Sequence, residues 1–71
     1  MKDIYDFARD ATREKARVRI TCGDGMVYTG IAHGFSSKWD NEDGCSAILL
    51  KFDNGGMMEF SAAEIEKADR V

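Results

Sequence analysis

The sequence predicts a mainly β protein: a five-stranded, strongly bent open barrel with an N-terminal α-helix and a short helical turn before the last strand. Three observations predict it. Ala16-Arg17-Val18-Arg19-Ile20-Thr21-Cys22 alternates apolar and polar residues, the period of a half-buried strand. This run leads into Gly23-Asp24-Gly25, a composition suited to a hairpin connection. Met26 to Phe35 then forms a longer strand with Gly30 near its centre, and a glycine there lets a small sheet bend back on itself.

The elements follow in order. Ile4, Phe7, Ala8 and Ala11 fall at i, i+3, i+4 and i+7, so residues 4–14 read as one short amphipathic helix. Asp3 is its expected N-cap, and Asp6 suits the first turn. A helix this short does not stand alone in water, so it is expected to lie against the barrel, over an open end. From Lys15 the period changes to 2. Ala16, Val18, Ile20 and Cys22 point one way, and Arg17, Arg19 and Thr21 the other. In the second strand, Val27, Ile31 and Phe35 are expected to share a face, given a bend or bulge at Gly30. Residues 36–44 form a polar, acidic loop with one tryptophan, Trp39. Cys45 to Phe52 is a third strand with Ile48, Leu50 and Phe52 on one face. Asp53-Asn54-Gly55-Gly56 is a second turn, and Met57 to Phe60 a short fourth strand. Ser61-Ala62-Ala63-Glu64 reads as a capping box opening a single helical turn, and Glu66 to Val71 as the last strand, with Ala68 inward.

Seventy-one residues make a single domain spanning residues 1–71. A chain of this length buries only about 60% of the surface it exposes when unfolded, so it gains from staples or partners. The hydrophobic fraction of 44% argues against disorder. No apolar run approaches the roughly 18 residues of a membrane span. The start, Met1-Lys2-Asp3-Ile4-Tyr5-Asp6, is too polar and acidic for a secretory signal. Cys22 and Cys45 are too few for a disulfide framework and read as reduced thiols, which places the protein in the cytoplasm. Self-association is then the remaining way to add buried area.

The net charge of −3 is unevenly spread. Residues 1–20 hold six basic and four acidic groups, and the remainder four basic and nine acidic, so the two parts carry +2 and −5. Opposite signs favour docking within the chain or between subunits, and the acidic total weakens non-specific binding to nucleic acid.

The order helix, strand, long bent strand, strand, short strand, tight helical turn, strand resembles the Sm-like (LSm) small β-barrel. Val18-Arg19-Ile20-Thr21-Cys22-Gly23-Asp24-Gly25, Tyr28-Thr29-Gly30-Ile31 and Phe35 are similar to the first motif of that family. Phe60-Ser61-Ala62-Ala63-Glu64-Ile65 stands where the second motif has an apolar residue, arginine, glycine, two polar residues and an apolar residue. The resemblance implies a ring of subunits joined through the fourth and fifth strands, and weak binding of single-stranded RNA. RNA-binding members have an aspartate directly after the phenylalanine and an arginine-glycine pair in the second motif. Ser36 and Ser61-Ala62 stand at those places, so the RNA-binding signature is degenerate.

Five cations, Arg9, Arg13, Lys15, Arg17 and Arg19, form a basic stripe that could track a phosphate backbone, with Tyr28 stacking a base. The plainer reading is a solvated face paired with neighbouring carboxylates. Trp39 is either pinned onto the barrel or exposed as a contact anchor beside Asp40, Glu42 and Asp43. That acidic loop fails the calcium-loop register, because Gly44 at the glycine position puts Trp39 at the first ligand and Leu50 at the twelfth. Cys22, Cys45 and His33 have neither zinc spacing nor a fourth ligand, and no oriented third group makes them catalytic. Met57, Met58 and Phe60 mark an apolar edge suited to pairing with another subunit. Taken together, these features predict a non-enzymatic oligomeric interaction module without cofactor or metal, binding RNA weakly. The alternative is a protein-binding adaptor that uses the Trp39 loop against a basic partner.

Overall fold

A computed structural model describes residues 3–71; Met1 and Lys2, the latter counted in the basic N-terminal part, lie outside the described residues. The chain runs α1 (Tyr5–Arg13), β1 (Arg17–Cys22), β2 (Val27–Ser36), a 3-10 turn (Lys38–Asp40), β3 (Ala47–Lys51), β4 (Met57–Ser61) and β5 (Ile65–Arg70). All strand pairs are antiparallel, in the order β4-β3-β2-β1-β5. The sheet does not close, because β4 and β5 are its two edges. Among the described residues, no helix is long and apolar enough to cross a membrane.

The two short hairpin turns are built alike. Asp24 Oδ1 accepts the Met26 N–H at 2.9 Å, and Asn54 Oδ1 accepts the Gly56 N–H at 2.8 Å. Between them, Gly25 and Gly55 take φ values of 89° and 87°, a region that side chains disfavour. The helix ends in another way. The Lys15 N–H bonds the Thr12 carbonyl at 3.1 Å, and the Ala16 N–H bonds the Ala11 carbonyl at 2.9 Å. These are the paired bonds of a Schellman motif, with Lys15 (φ 50°) where glycine is usual.

The core is Ile4, Ala8 and Ala11 from the helix side, with Val18, Ile20, Ile48, Leu50, Phe60 and Ile65 from the sheet. The inward and outward alternation of β1 is as expected, and Ile48, Leu50 and Ala68 also face the core. The helix lies chiefly on β2 and touches β3. Its start is anchored by buried Ser46, whose hydroxyl accepts the Ile4 N–H at 3.1 Å and donates to Asp3 Oδ1 at 2.7 Å. Asp3 also accepts the Tyr5 N–H at 2.9 Å, so it caps from one residue before the capping position, which Ile4 occupies.

Two expectations are corrected. Val27, Ile31 and Phe35 do not share a face: Val27 and Ile31 lie on the face opposite the buried positions Gly30 and Ala32, whereas Phe35 pairs with buried Ile48 while its ring stays partly exposed. A bulge at His33, where the pairing jumps from Ala32↔Leu50 to Gly34↔Leu49, shifts the faces of the strand's second half. A side chain at Gly30 would lie 2.8 Å from the Lys51 carbonyl oxygen, so close approach to β3 is what requires glycine there. The second correction concerns the capping box expected at Ser61-Ala62-Ala63-Glu64, a tight turn in which the Glu64 N–H bonds the Ser61 carbonyl at 2.9 Å and the Ile65 N–H bonds the Ala62 carbonyl at 3.3 Å. Ser61 Oγ accepts the Ala63 N–H, so no capping box forms, and Ala62 is buried in the core.

Candidate functional site

The loop after β2 carries Trp39, whose exposure of 84% makes it the most exposed of the large apolar residues. The loop is nonetheless held firmly. The Asn41 amide nitrogen donates to Ser36 Oγ at 2.9 Å, to the Ser37 carbonyl at 3.2 Å and to the Cys45 carbonyl at 2.7 Å. Ser37 Oγ donates to Asp40 at 3.0 Å. Asp43 accepts the Cys45 N–H at 3.0 Å and the Ser61 hydroxyl at 2.7 Å, tying the loop to the end of β4. The Ser61 hydroxyl and then the Cys45 N–H hold the Asp43 carboxyl below the usual aspartate range. A large aromatic on a clamped loop presents its area with little ordering left to lose on contact.

Trp39 borders a shallow groove of about 310 Å³ lined by Asp3, Tyr5, Asp6, Ser37, Lys38 and Trp39. Lys38 Nζ lies 5.0 Å from the Trp39 ring centre. The Tyr5 ring is braced edge-on by Phe35 with centroids 5.6 Å apart, and Arg9 lies over it at 5.7 Å. The Ser46 hydroxyl, and next the Tyr5 N–H, lower the Asp3 carboxyl, so Asp3 is anionic at neutral pH. Of the acidic loop residues expected here, Asp40 spends an oxygen on Ser37 and Asp43 its oxygens on Cys45 and on Ser61 of β4, while Glu42 is exposed with no ion pair among the described residues. Among the described residues, no three His, Cys, Asp or Glu side chains converge as a metal-ligand set.

The basic stripe is dispersed. Arg9 pairs with Asp6 at 3.3 Å and Asp10 at 3.1 Å. On the outer face of β1, Arg17 lies 3.7 Å from Asp53 and Arg19 3.8 Å from Asp69. Lys15 is the helix-terminating residue, and neither it nor Arg13 has an ion pair among the described residues. Tyr28 is half-buried, packed against Phe60 and Phe52 with centroids 5.0 and 6.4 Å away.

The apolar edge splits likewise. Met57 and Met58 are 55% and 39% exposed, but Phe60 is fully buried and offers an edge partner only its backbone. Met58 and Phe60 line a cleft of about 340 Å³ with Cys22, Tyr28, Ala63 and Glu64. Burial first, then Asp24 and Glu64, push the Cys22 thiol up, away from a reactive thiolate.

Sequence reasoning missed Asp3, Tyr5, Asp6, Ser37 and Lys38 as lining of the Trp39 groove, and Phe35, Asn41 and Ser46 as the residues that brace it. Asn41 carries a usable signal, since a loop asparagine commonly clasps nearby backbone. Tyr5 and Phe35 belong to different elements, and Ser46 is 43 positions from the aspartate it bonds, so no local pattern announces them.

No protein-family model and no curated protein matches the sequence. Among solved structures, the chain is similar to YaeO bound to magnesium from Vibrio cholerae O395. The match has a TM-score of 0.73 and 19% identity, and it covers 94% of this chain and 82% of that one. The likeness is one of fold. It corrects the expected Sm-like assignment, for which no family match stands. The residues that suggested the Sm-like family are an alternating strand, an acidic-glycine turn and a glycine-bent strand. Bent antiparallel sheets often carry such features, so they report local geometry.

Proposed function

We propose that this protein is a non-enzymatic protein-binding adaptor that contacts a basic partner through Trp39 and the acidic surface around it. The carrying observation is Trp39 itself, 84% exposed on a loop clamped by Asn41 and Asp43. An indole left in water on a firmly held loop fits an interface anchor, the residue type most enriched where binding energy concentrates. The excess of acid in residues 21–71 supplies a complementary field for a cationic surface. RNA binding is the weaker reading, because Arg9, Arg17 and Arg19 already face carboxylates within the chain.

The test compares wild type with Trp39→Ala as immobilised baits, together with their melting temperatures. Because the side chain is mostly in water, its loss is expected to change stability by no more than about 0.5 kcal/mol. Capture of a basic protein should disappear with the tryptophan and weaken with added salt. Retention of the same partner by Trp39→Ala overturns the proposal, and a large drop in melting temperature reassigns Trp39 to the fold.

One observation favours a second contact, self-association through the sheet edge: β4 is unpaired on its outer side and carries two exposed methionines. Light scattering at rising concentration tests it. A mass that stays monomeric sets it aside.

A further inference from the structure

The groove between Tyr5 and Trp39 combines features that seldom serve an uncharged guest. Its lining includes two aromatic residues, Tyr5 and Trp39, and two carboxylates, Asp3 and Asp6, and its volume of about 310 Å³ suits one long side chain. The Asp6 side chain is 84% exposed and shares one oxygen with Arg9 at 3.3 Å. Asp3 is held in place by Ser46 and Tyr5 and kept ionised by them. Two cations already border the groove: Arg9 lies over the Tyr5 ring at 5.7 Å while paired with Asp6, and Lys38 Nζ lies over the Trp39 ring at 5.0 Å, where its charge also acts on Asp3. Lysine is a poor match for such walls, because its compact ammonium is strongly hydrated. A guanidinium is planar, less hydrated, stacks on aromatic faces and can present two N–H groups to a carboxylate.

From this geometry we infer that the groove is a receptor for an arginine side chain of the partner, and that Lys38 is its built-in competitor. The inference rests on the adaptor reading and adds to it the residue type recognised and the means by which affinity is restrained. An incoming arginine stacks on Trp39, pairs with Asp3 or Asp6, and displaces Lys38 into solvent. Because Lys38 must leave, its removal should tighten binding, opposite to what loss of an ordinary contact residue does.

The probes are three capped pentapeptides with arginine, lysine or neutral citrulline between pairs of glycines, titrated into the full, isotope-labelled chain. The arginine peptide should shift the Trp39 indole N–H and the backbone of residues 37–40 in a saturable way. The lysine peptide should bind about fivefold more weakly, and citrulline not measurably, since it keeps the shape but lacks the charge. Lys38→Met should tighten the arginine peptide by about twofold or more, whereas Trp39→Ala and Asp6→Asn should weaken it. Equal shifts with arginine and citrulline, shifts that persist in Trp39→Ala, or affinity unchanged or weakened in Lys38→Met would overturn the inference. If Trp39-dependent capture of a basic protein is kept while the arginine peptide fails to bind, the inference falls and the adaptor reading stands. If that capture is absent as well, the adaptor reading falls with it.

Discussion

Replacing Gly30 with alanine probes the point where β2 approaches β3 most closely among its glycines. A Cβ added there would sit 2.8 Å from the Lys51 carbonyl oxygen, 3.3 Å from the Lys51 carbonyl carbon and 3.2 Å from Phe52 Cδ1. The nearest obstacle is backbone, not the tip of a flexible side chain, and Ile31↔Lys51 pairing holds it in the sheet ladder. Relief therefore requires β2 and β3 to part at this point. Overpacking of this kind costs about 1–3 kcal/mol. A domain of this size has a total stability of roughly 4–11 kcal/mol. With about 4–8 °C per kcal/mol at this size, the melting temperature should fall by roughly 4–24 °C. Far-UV circular dichroism during thermal or urea unfolding is the suitable assay, because Trp39 is already in water and its emission reports unfolding poorly. Gly34→Ala is the internal control on the same strand. Its Cβ would meet only the Leu49 side chain, at 3.4 Å, so its effect should stay within about 1 kcal/mol. Should Gly30→Ala destabilise no more than Gly34→Ala, close approach to β3 is not what requires glycine at position 30.

Three further outcomes follow from particular bonds. Lys15 takes φ 50° at the end of α1, so Lys15→Gly should stabilise the fold by about 0.5–1 kcal/mol, read as a higher urea midpoint with unchanged slope; a lower midpoint would argue against strain at that turn. The Thr12 hydroxyl is buried without a hydrogen-bond partner among the described residues, so Thr12→Val should be neutral or raise the melting temperature, whereas a clear loss would reveal a bond to that oxygen. Asp43 has a carboxyl lowered by its bonds, so its stabilisation is complete above its ordinary value of 3.8 and lost as pH falls through the lower folded value. The wild type should therefore lose stability more steeply than Asp43→Asn below about pH 4, measured as melting temperature against pH, and parallel curves would refute the linkage.

Much of the architecture is written locally. The alternation of residues 16–22, the paired turn sequences around Gly25 and Gly55, and the helical spacing of Ile4, Ala8 and Ala11 each depend on contacts within a few residues, and each is read directly from the chain. The face of β2 is different. Strand periodicity is 2, so the single extra residue at His33 exchanges inside for outside, and Phe35 leaves the face of Val27 and Ile31 to pair with buried Ile48 on the helix side, where its ring braces Tyr5. No pattern within β2 announces that bulge, because it is set by the pairing with β3.

The candidate site shows the same division. Trp39 and its acidic neighbours stand out in the sequence by composition, but whether the indole is pinned or presented depends on bonds from Asn41 and Asp43 to Cys45 and Ser61. The basic stripe was equally plain, yet Arg17 and Arg19 face Asp53 and Asp69, carboxylates remote in sequence that the sheet brings within 4 Å. By itself the sequence determined the strands, their turns and the residue types available for recognition, since those follow from short-range sterics and hydrophobic spacing. Only the tertiary structure decided which charges are already paired, which strand face is buried and which aromatic ring remains in water, because each depends on groups that are distant along the chain and adjacent only after folding.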